Sequence, residues 1–274
     1  MSHTLWVIGG DARSHWAAQA LAASRFAVSA YDVPDEKTEN LPEEINIAVL
    51  PFPSFQGALI RGHSGIPVAD LLNRLRCGSY VFGGLFGDWK GAITDRGAKA
   101  YDLYYTEPLT TANACLTAEG ALQLAMENSP ISLHGAKCLV IGYGRIGKCL
   151  AQKLHGLSAD VTVSARKPAD QSLAEAMGHL SDQTGIYLHG LQQYDFIFNT
   201  VPAEVLSSDQ LAQISPACLL IDLASRPGGF SPVRCQELNL HFCTAPGLPG
   251  RCSPKSAGIL YAQSILSILN QEGV

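Results

Sequence analysis

The sequence predicts an α/β protein made of two doubly wound domains, and three observations carry that expectation. The chain has 274 residues, more than a single domain of ordinary size uses. Short runs rich in β-branched and aromatic residues alternate with helix-like patterns, and the alternation occurs twice. That is the pattern of parallel sheets joined by crossover helices. In the second half, an apolar strand runs directly into Gly142-Tyr143-Gly144-Arg145-Ile146-Gly147, which opens a helix.

A composition of 47% hydrophobic and 16% charged residues is enough apolar material for two cores. The formal net charge of -5 argues against nucleic acid or an anionic membrane surface as a partner, because both call for a basic footprint. No apolar stretch reaches the roughly 18 residues of a membrane helix. The run from Met1 to Gly10 lacks the charged region and longer apolar core of a signal peptide. The 8 cysteines are scattered without a C-x-x-C pair, and the 8 histidines never form H-x-x-x-H. No metal site is therefore expected, and reduced thiols packed as small hydrophobes point to the cytoplasm.

In the first half, Leu5 to Ile8 is expected as a strand ending at Gly9-Gly10, Trp16 to Ala23 as a helix and Phe26 to Tyr31 as a second strand. Ile45 to Leu50 reads as a third strand, halted by Pro51 and Pro53. A helix over Val68 to Leu75 precedes strands at Tyr80 to Phe82 and at Leu103 to Tyr105. Thr111 to Glu127 is rich in helix formers and forms a connecting helix. Strands at Cys138 to Ile141, Asp160 to Ala165, Ile186 to Leu188, Phe196 to Phe198, Cys218 to Ile221 and His241 to Cys243 follow, and Ala257 to Leu269 is an apolar helix. The expected organisation is a substrate-side domain over 1–108, a connecting helix over 109–130, a dinucleotide-binding domain over 131–252 and a C-terminal helix over 253–274. That last helix is expected to cross back to the first domain and close a cleft between the two.

The glycine loop takes its meaning from its context of strand, loop and helix. Gly142 permits the tight turn, Gly144 lets the backbone approach a pyrophosphate, and Gly147 allows close packing of helix on strand. Arg145 and Ile146 begin the helix whose N-terminus faces the phosphates. These are the marks of a Rossmann-like domain. The next strand ends at Ser164-Ala165-Arg166-Lys167, with no acid where NAD would need one for its ribose hydroxyls. Arg166 and Lys167 suit a 2′-phosphate, so NADP is the expected cofactor. Two further strand-end loops, Asn199-Thr200-Val201-Pro202 and Asp222-Leu223-Ala224-Ser225, fall where the nicotinamide should lie. Asp222 fits a ligand contact or a loop brace equally well.

Together these loops, with Gly9-Gly-Asp-Ala-Arg13, Thr117-Ala-Glu-Gly-Ala121, Ser225-Arg-Pro-Gly-Gly229, Ala245-Pro-Gly-Leu-Pro-Gly250 and Ser253-Pro-Lys-Ser-Ala-Gly258, resemble the family of the dipicolinate synthase A-subunit over nearly the whole chain. The resemblance implies oxidation of a dihydropyridine dicarboxylate to dipicolinate with hydride passing to NADP, late in spore formation. It also implies a partner, the flavoprotein-like B-subunit of dipicolinate synthase, and a homo-oligomer is expected. A small dianion calls for cationic groups, and Arg13, Arg226, Arg251 and Lys255 are the candidates. Each also suits a surface ion pair. Thr117 and Glu119 lie on the connecting helix two residues apart, so one of them at most faces the substrate. Glu119 is the candidate base and Arg226 the second candidate catalytic residue.

Two other readings stand beside this one. A D-2-hydroxy-acid dehydrogenase shares the layout and an Arg at the position of Arg226, but it needs a His on the loop that here reads Ala245-Pro246-Gly247. A non-catalytic NADP-binding subunit would use the same glycine loop.

Overall fold

The computed structural model describes residues 4–274, so Met1 to His3 of the N-terminal run lie outside the described residues. The chain divides into two units, the first formed by residues up to Ala112 together with Ser253–Val274, the second by Asn113–Cys252.

In the first unit the order is β1 (Thr4–Ile8), α1 (Ala12–Ala22), β2 (Ala27–Tyr31), β3 (Ile45–Val49), a hairpin of β4 (Phe55–Gln56) and β5 (Leu59–Ile60), α2 (Val68–Arg74), β6 (Leu75–Gly83), α3 (Trp89–Thr94) and β7 (Lys99–Asp102). The main sheet runs β2-β1-β3-β6-β7, all parallel. Its central strands β1 and β3 are largely apolar and buried on both faces, because helices cover both. On one face Ala17 and Leu21 of α1 pack with Tyr261, Ile265 and Leu269 of the last helix, and on the other Val68 and Leu71 of α2 pack with Ile93 of α3.

The helix α4 (Glu107–Glu127) leads into β8 (Lys137–Ile141), α5 (Arg145–Gly156), β9 (Asp160–Ala165), α6 (Pro168–Ala176), β10 (Leu180–Gln183), β11 (Phe196–Asn199), α7 (Ser208–Leu211), β12 (Leu219–Asp222), α8 (Pro232–Glu237), β13 (His241–Thr244) and α9 (Leu248–Cys252). The final helix, α10 (Pro254–Gln271), returns to the first unit and packs along α1. The second sheet has the order β10-β9-β8-β11-β12-β13, parallel throughout. This is the doubly wound order in which the sheet reverses direction beside its first strand, and ligands bind at the carboxyl end of that switch point. Among the described residues no helix is long and apolar enough to cross a membrane.

Two expected strands are corrected. Ile186 to Leu188 is a turn, and the edge strand is β10. The Asp182 carboxylate accepts from the Leu188 N–H at 3.0 Å, Gly185 and Tyr187 have positive φ, and Ile186 and Leu188 are exposed. Leu103 to Tyr105 is one turn of 3-10 helix after β7, because the Asp102 side chain caps it by accepting from the Tyr104 N–H. The short helices α3 and α6 to α9 have four to nine residues, too few for an apolar period to show in the sequence.

Candidate dinucleotide site and substrate-side groups

The loop after β8 does three different things with its glycines. Gly142 has φ +96°, and a Cβ there would fall 2.4 Å from Thr200 Oγ1. A Cβ on Gly147 would fall 2.0 Å from the Gly142 carbonyl oxygen. Both positions are closed by the protein itself. Gly144 is different, since a Cβ there would meet nothing within 4 Å. It is the N-cap of α5 and supplies no side-chain cap, so a pyrophosphate can approach bare backbone at the positive end of the helix.

A cleft of about 290 Å³ starts at this loop and is bordered by Arg166, Lys167 and Asp170 beyond β9 and by Thr200 to Pro202 beyond β11. Arg166 and Lys167 are exposed at its rim, whereas Ser164 and Ala165 are buried in β9. The Ser164 hydroxyl donates to Thr184 Oγ1 at 2.8 Å. It therefore secures the neighbouring turn and does not line the cleft. Arg145 is exposed at the start of α5, while Ile146 is half-buried and packs on the core. The dinucleotide's diphosphate and ribose fit this geometry, and its ring end would reach the loops after β11 and β12.

Those two loops are held by a pair of buried polar side chains. Asn199 donates to Asp222 Oδ1 at 2.8 Å and to the Val201 carbonyl at 2.9 Å, and it accepts from Val201 N at 3.0 Å. Asp222 also accepts from Ala224 N at 3.1 Å and Gly229 N at 2.9 Å. Asp222 is thus a brace, and Leu223 beside it is buried in the core. Ala224, Ser225 and Arg226 come to the surface beyond the brace. Arg251 is exposed on α9; burial raises the Cys243 thiol pKa there, and the charge of Arg251 opposes the rise.

Among the described residues the first unit offers no comparable phosphate loop. A Cβ on Gly9 would fall 2.3 Å from the Arg61 carbonyl oxygen, and one on Gly10 would fall 1.9 Å from Ser14 Oγ. What stands at that strand end is a charge cluster. Arg13 donates from Nε and Nη2 to the Asp11 carboxylate, the closest contact being 2.6 Å. Burial pushes the Asp11 carboxyl up, but hydrogen bonds and charge from Arg13, with Arg61 beyond, hold it below the ordinary carboxylate value. Lys255, in the first turn of α10, places Nζ 4.5 Å from the centre of the Trp16 ring, a cation–π contact. Arg13 and Lys255 therefore share the N-terminal end of α1.

Thr117 and Glu119 take the separate faces their spacing requires. Thr117 is buried, donating to the Asn113 carbonyl at 2.8 Å, while Glu119 is exposed and ion-paired to Lys153 at 2.9 Å. Lys153 lies eight residues into α5, about 12 Å along the helix from the glycine loop at 1.5 Å per residue. Glu119 therefore faces the flank of α5 and not a strand-end site, which removes the geometric support for Glu119 as the base. Asp11, Arg61, Asp170 and Thr184 are not singled out by the sequence. Asp11 lies within the Gly9-Gly-Asp-Ala-Arg13 run but takes no role from it; Arg61, Asp170 and Thr184 sit at no motif position, and only the tertiary fold brings them to the strand ends.

The fold and this site define an oxidoreductase that binds a nicotinamide dinucleotide in its second unit. Residues 103–226 match the family model "D-isomer specific 2-hydroxyacid dehydrogenase, NAD binding domain". The A-subunit of dipicolinate synthase from Bacillus subtilis (strain 168) is 30% identical over 201 residues, which is 73% of this chain and 68% of that protein. The chain belongs to the family of the dipicolinate synthase A-subunit. The crystal structure of the Bacillus subtilis protein is 26% identical, with a TM-score of 0.87 over 99% of this chain and 97% of that one. That of the corresponding protein from Bacillus halodurans is 24% identical, with a TM-score of 0.89 over 98% of both chains.

Proposed function

We propose that this protein oxidises a dihydrodipicolinate-type dicarboxylate to dipicolinate during spore formation, with NADP as hydride acceptor, in a cytoplasmic enzyme whose other component is flavoprotein-like. The observation that carries the cofactor choice is the pair Arg166 and Lys167 on the rim of the cleft that begins at Gly142. A 2′-phosphate placed beyond β9 would meet the Arg166 fork, a charge-assisted contact of the stronger kind. Asp170 borders the same cleft, and its repulsion of a phosphate makes those cations more necessary.

When bound, the cofactor supplies the hydride acceptor. The candidate groups for the dianion's carboxylates are cationic: Arg13 and Lys255, which share the N-terminal end of α1 in the first unit, and, considered separately, Arg226 and Arg251, which are exposed on the second. The chain's own groups also keep the strand-end loops rigid through Asn199 and Asp222. Passage of a ring hydride to the nicotinamide and of a ring proton to water leaves an aromatic pyridine, and the gain in aromaticity drives a step for which alcohol oxidation would call on an imidazole.

The test mixes the chain with NADP⁺ and freshly generated dihydrodipicolinate, with and without the flavoprotein-like partner, and follows NADPH absorbance. NADPH formation that is lost in Arg226→Ala supports catalysis by this chain. Formation that depends only on active-site residues of the partner supports a purely binding role. For the cofactor, Arg166→Ala should raise the NADP⁺ dissociation constant by about tenfold or more, as loss of a charged hydrogen bond does, and leave NAD⁺ little changed. Equal losses for both would sink the 2′-phosphate assignment.

The family match over residues 103–226 favours one second reading, a D-2-hydroxy-acid dehydrogenase in which Arg226 holds the carboxylate. The loop after β13 reads Ala245-Pro246-Gly247, with no histidine to accept the hydroxyl proton. Turnover of 2-hydroxy acids without dihydrodipicolinate oxidation would establish that reading instead.

A further inference from the structure

The carboxyl edge of the first sheet carries Arg13, after β1, and a run of aromatic rings, Tyr261, Phe52 and Tyr104. Tyr261 is buried, its hydroxyl donating to the Leu50 carbonyl at 2.7 Å, and the charges of Arg13 and Asp102 both act on that hydroxyl. Phe52 meets Tyr261 edge-on, with ring centres 6.0 Å apart, and lies at 6.0 Å and a 33° tilt from Tyr104. Tyr104 is 40% exposed; its ring rests on Phe52 and meets Tyr105 edge-on at 5.2 Å, and the remainder is open. It is also held in place. The Asp102 carboxylate accepts from Tyr104 N at 3.1 Å, Leu85 N at 2.9 Å and Phe86 N at 3.0 Å, which ties the loops after β6 and β7 together. Arg13 commits Nε and Nη2 to Asp11, and among the described residues no acceptor takes Nη1.

A lone exposed tyrosine needs no explanation. A tyrosine backed by a second ring, braced through its own backbone and set at the ligand edge of a parallel sheet that also carries an arginine with a free donor is a different case. Flat aromatic acids are recognised by such a combination, a ring face for stacking and a guanidinium for the carboxylate.

We infer that Tyr104, backed by Phe52, is the shelf on which the flat ring of the substrate rests, with Arg13, on the same sheet edge, reaching toward a ring carboxylate. This rests on the proposed function and names the residue that would make the site choose a planar diacid. Tyr104 is a specificity residue in this scheme and takes no part in proton or hydride movement.

Calorimetric titration of the full chain, saturated with NADP⁺, separates the possibilities. The two ligands are pyridine-2,6-dicarboxylate, which is planar, and piperidine-2,6-dicarboxylate, which has the same carboxylates on a puckered ring. The wild type should favour the planar acid. Tyr104→Leu should lower that preference by about tenfold, the size of one aromatic contact, with affinity for the saturated diacid unchanged. Tyr104→Phe should retain the preference, which also separates loss of the ring from loss of the fold. Arg13→Ala should weaken both ligands together. A Tyr104→Leu protein that keeps the wild-type preference overturns the shelf. A wild type that binds neither diacid overturns the proposed function itself, and the two failures are distinct.

Discussion

Asn199 and Asp222 lie opposite each other on neighbouring parallel strands, and the amide donates to the carboxylate at 2.8 Å. Through this one bond the loops after β11 and β12 become a single braced unit. Asn199 is fully buried and Asp222 is 4% exposed, so neither can exchange its partner for water.

Asp222→Ala should therefore cost about 1–3 kcal/mol of stability, because it leaves buried donors of Asn199, Gly229 and Ala224 without an acceptor. Urea unfolding measures this, and dinucleotide affinity should fall with it. An unchanged midpoint would show that the pair does not hold the loops.

The glycine loop predicts a separation of folding from binding. Gly144 has φ -78° and open space around its missing Cβ, so Gly144→Val should fold normally yet weaken the dinucleotide by filling the backbone approach. Gly147→Ala must collide with the Gly142 carbonyl and should lose about 1–3 kcal/mol, the usual range for overpacking. Thermal melting and a dinucleotide titration on both variants decide the matter; equal melting temperatures would contradict it.

Glu119→Gln should leave turnover unchanged. The residue pairs with Lys153 on the surface, and removing an exposed ion pair costs about 0–1 kcal/mol. A steep fall in kcat with a shifted acid limb of the pH profile would instead restore Glu119 as the base.

Asp11 gives the acid limb of stability a defined sign. Its folded pKa is lowered, so its contribution is full above the unfolded carboxyl value of 3.8 and fades as pH falls through the lower folded value. The Asp11 side chain is 51% exposed, so solvent screening keeps the effect to about 0.5 kcal/mol or less. Asp11→Asn should flatten that limb in a series of melts below about pH 4, and a limb of unchanged slope would contradict the assignment.

Thiol labelling should follow burial. Cys138 and Cys218 are pushed up to about 12, first by burial and then by the nearby Asp195 charge. Cys149 is pushed up to about 11 by burial and by Cys115, whose sulfur lies 3.2 Å away. Cys77 is exposed and should alkylate first at neutral pH, with the buried pair unreacted until unfolding. Early loss of Cys138 by mass spectrometry would show that the second sheet opens locally.

Much of the fold was legible because its signals are local. The apolar strand before Gly142, the glycine spacing and the run of further strands each depend on near neighbours, and together they indicate a parallel doubly wound sheet. The two mistaken strands failed for an opposite reason. Ile186 to Leu188 and Leu103 to Tyr105 have strand-like side chains, but the carboxylates of Asp182 and Asp102 capture their backbone N–H groups. A composition window does not see a side chain that competes for the backbone.

The candidate site was legible in outline and not in orientation. Arg166 and Lys167 could be placed at a strand end by counting, and they border the cleft. Ser164, two residues earlier, turns its hydroxyl to Thr184, and Leu223 turns into the core. In a strand a shift of one residue reverses the face, so a motif places a loop more reliably than each side chain within it.

By itself the sequence determined that this protein has two parallel α/β units and that the second carries the dinucleotide loop, since hydrophobic period and glycine spacing are local quantities. Tertiary structure decided which polar residues border the cleft and which hold the frame. Asn199 meets Asp222 across 23 residues and Glu119 meets Lys153 across 34, and both pairings follow from the register of strands and the packing of helices, which no local spacing contains.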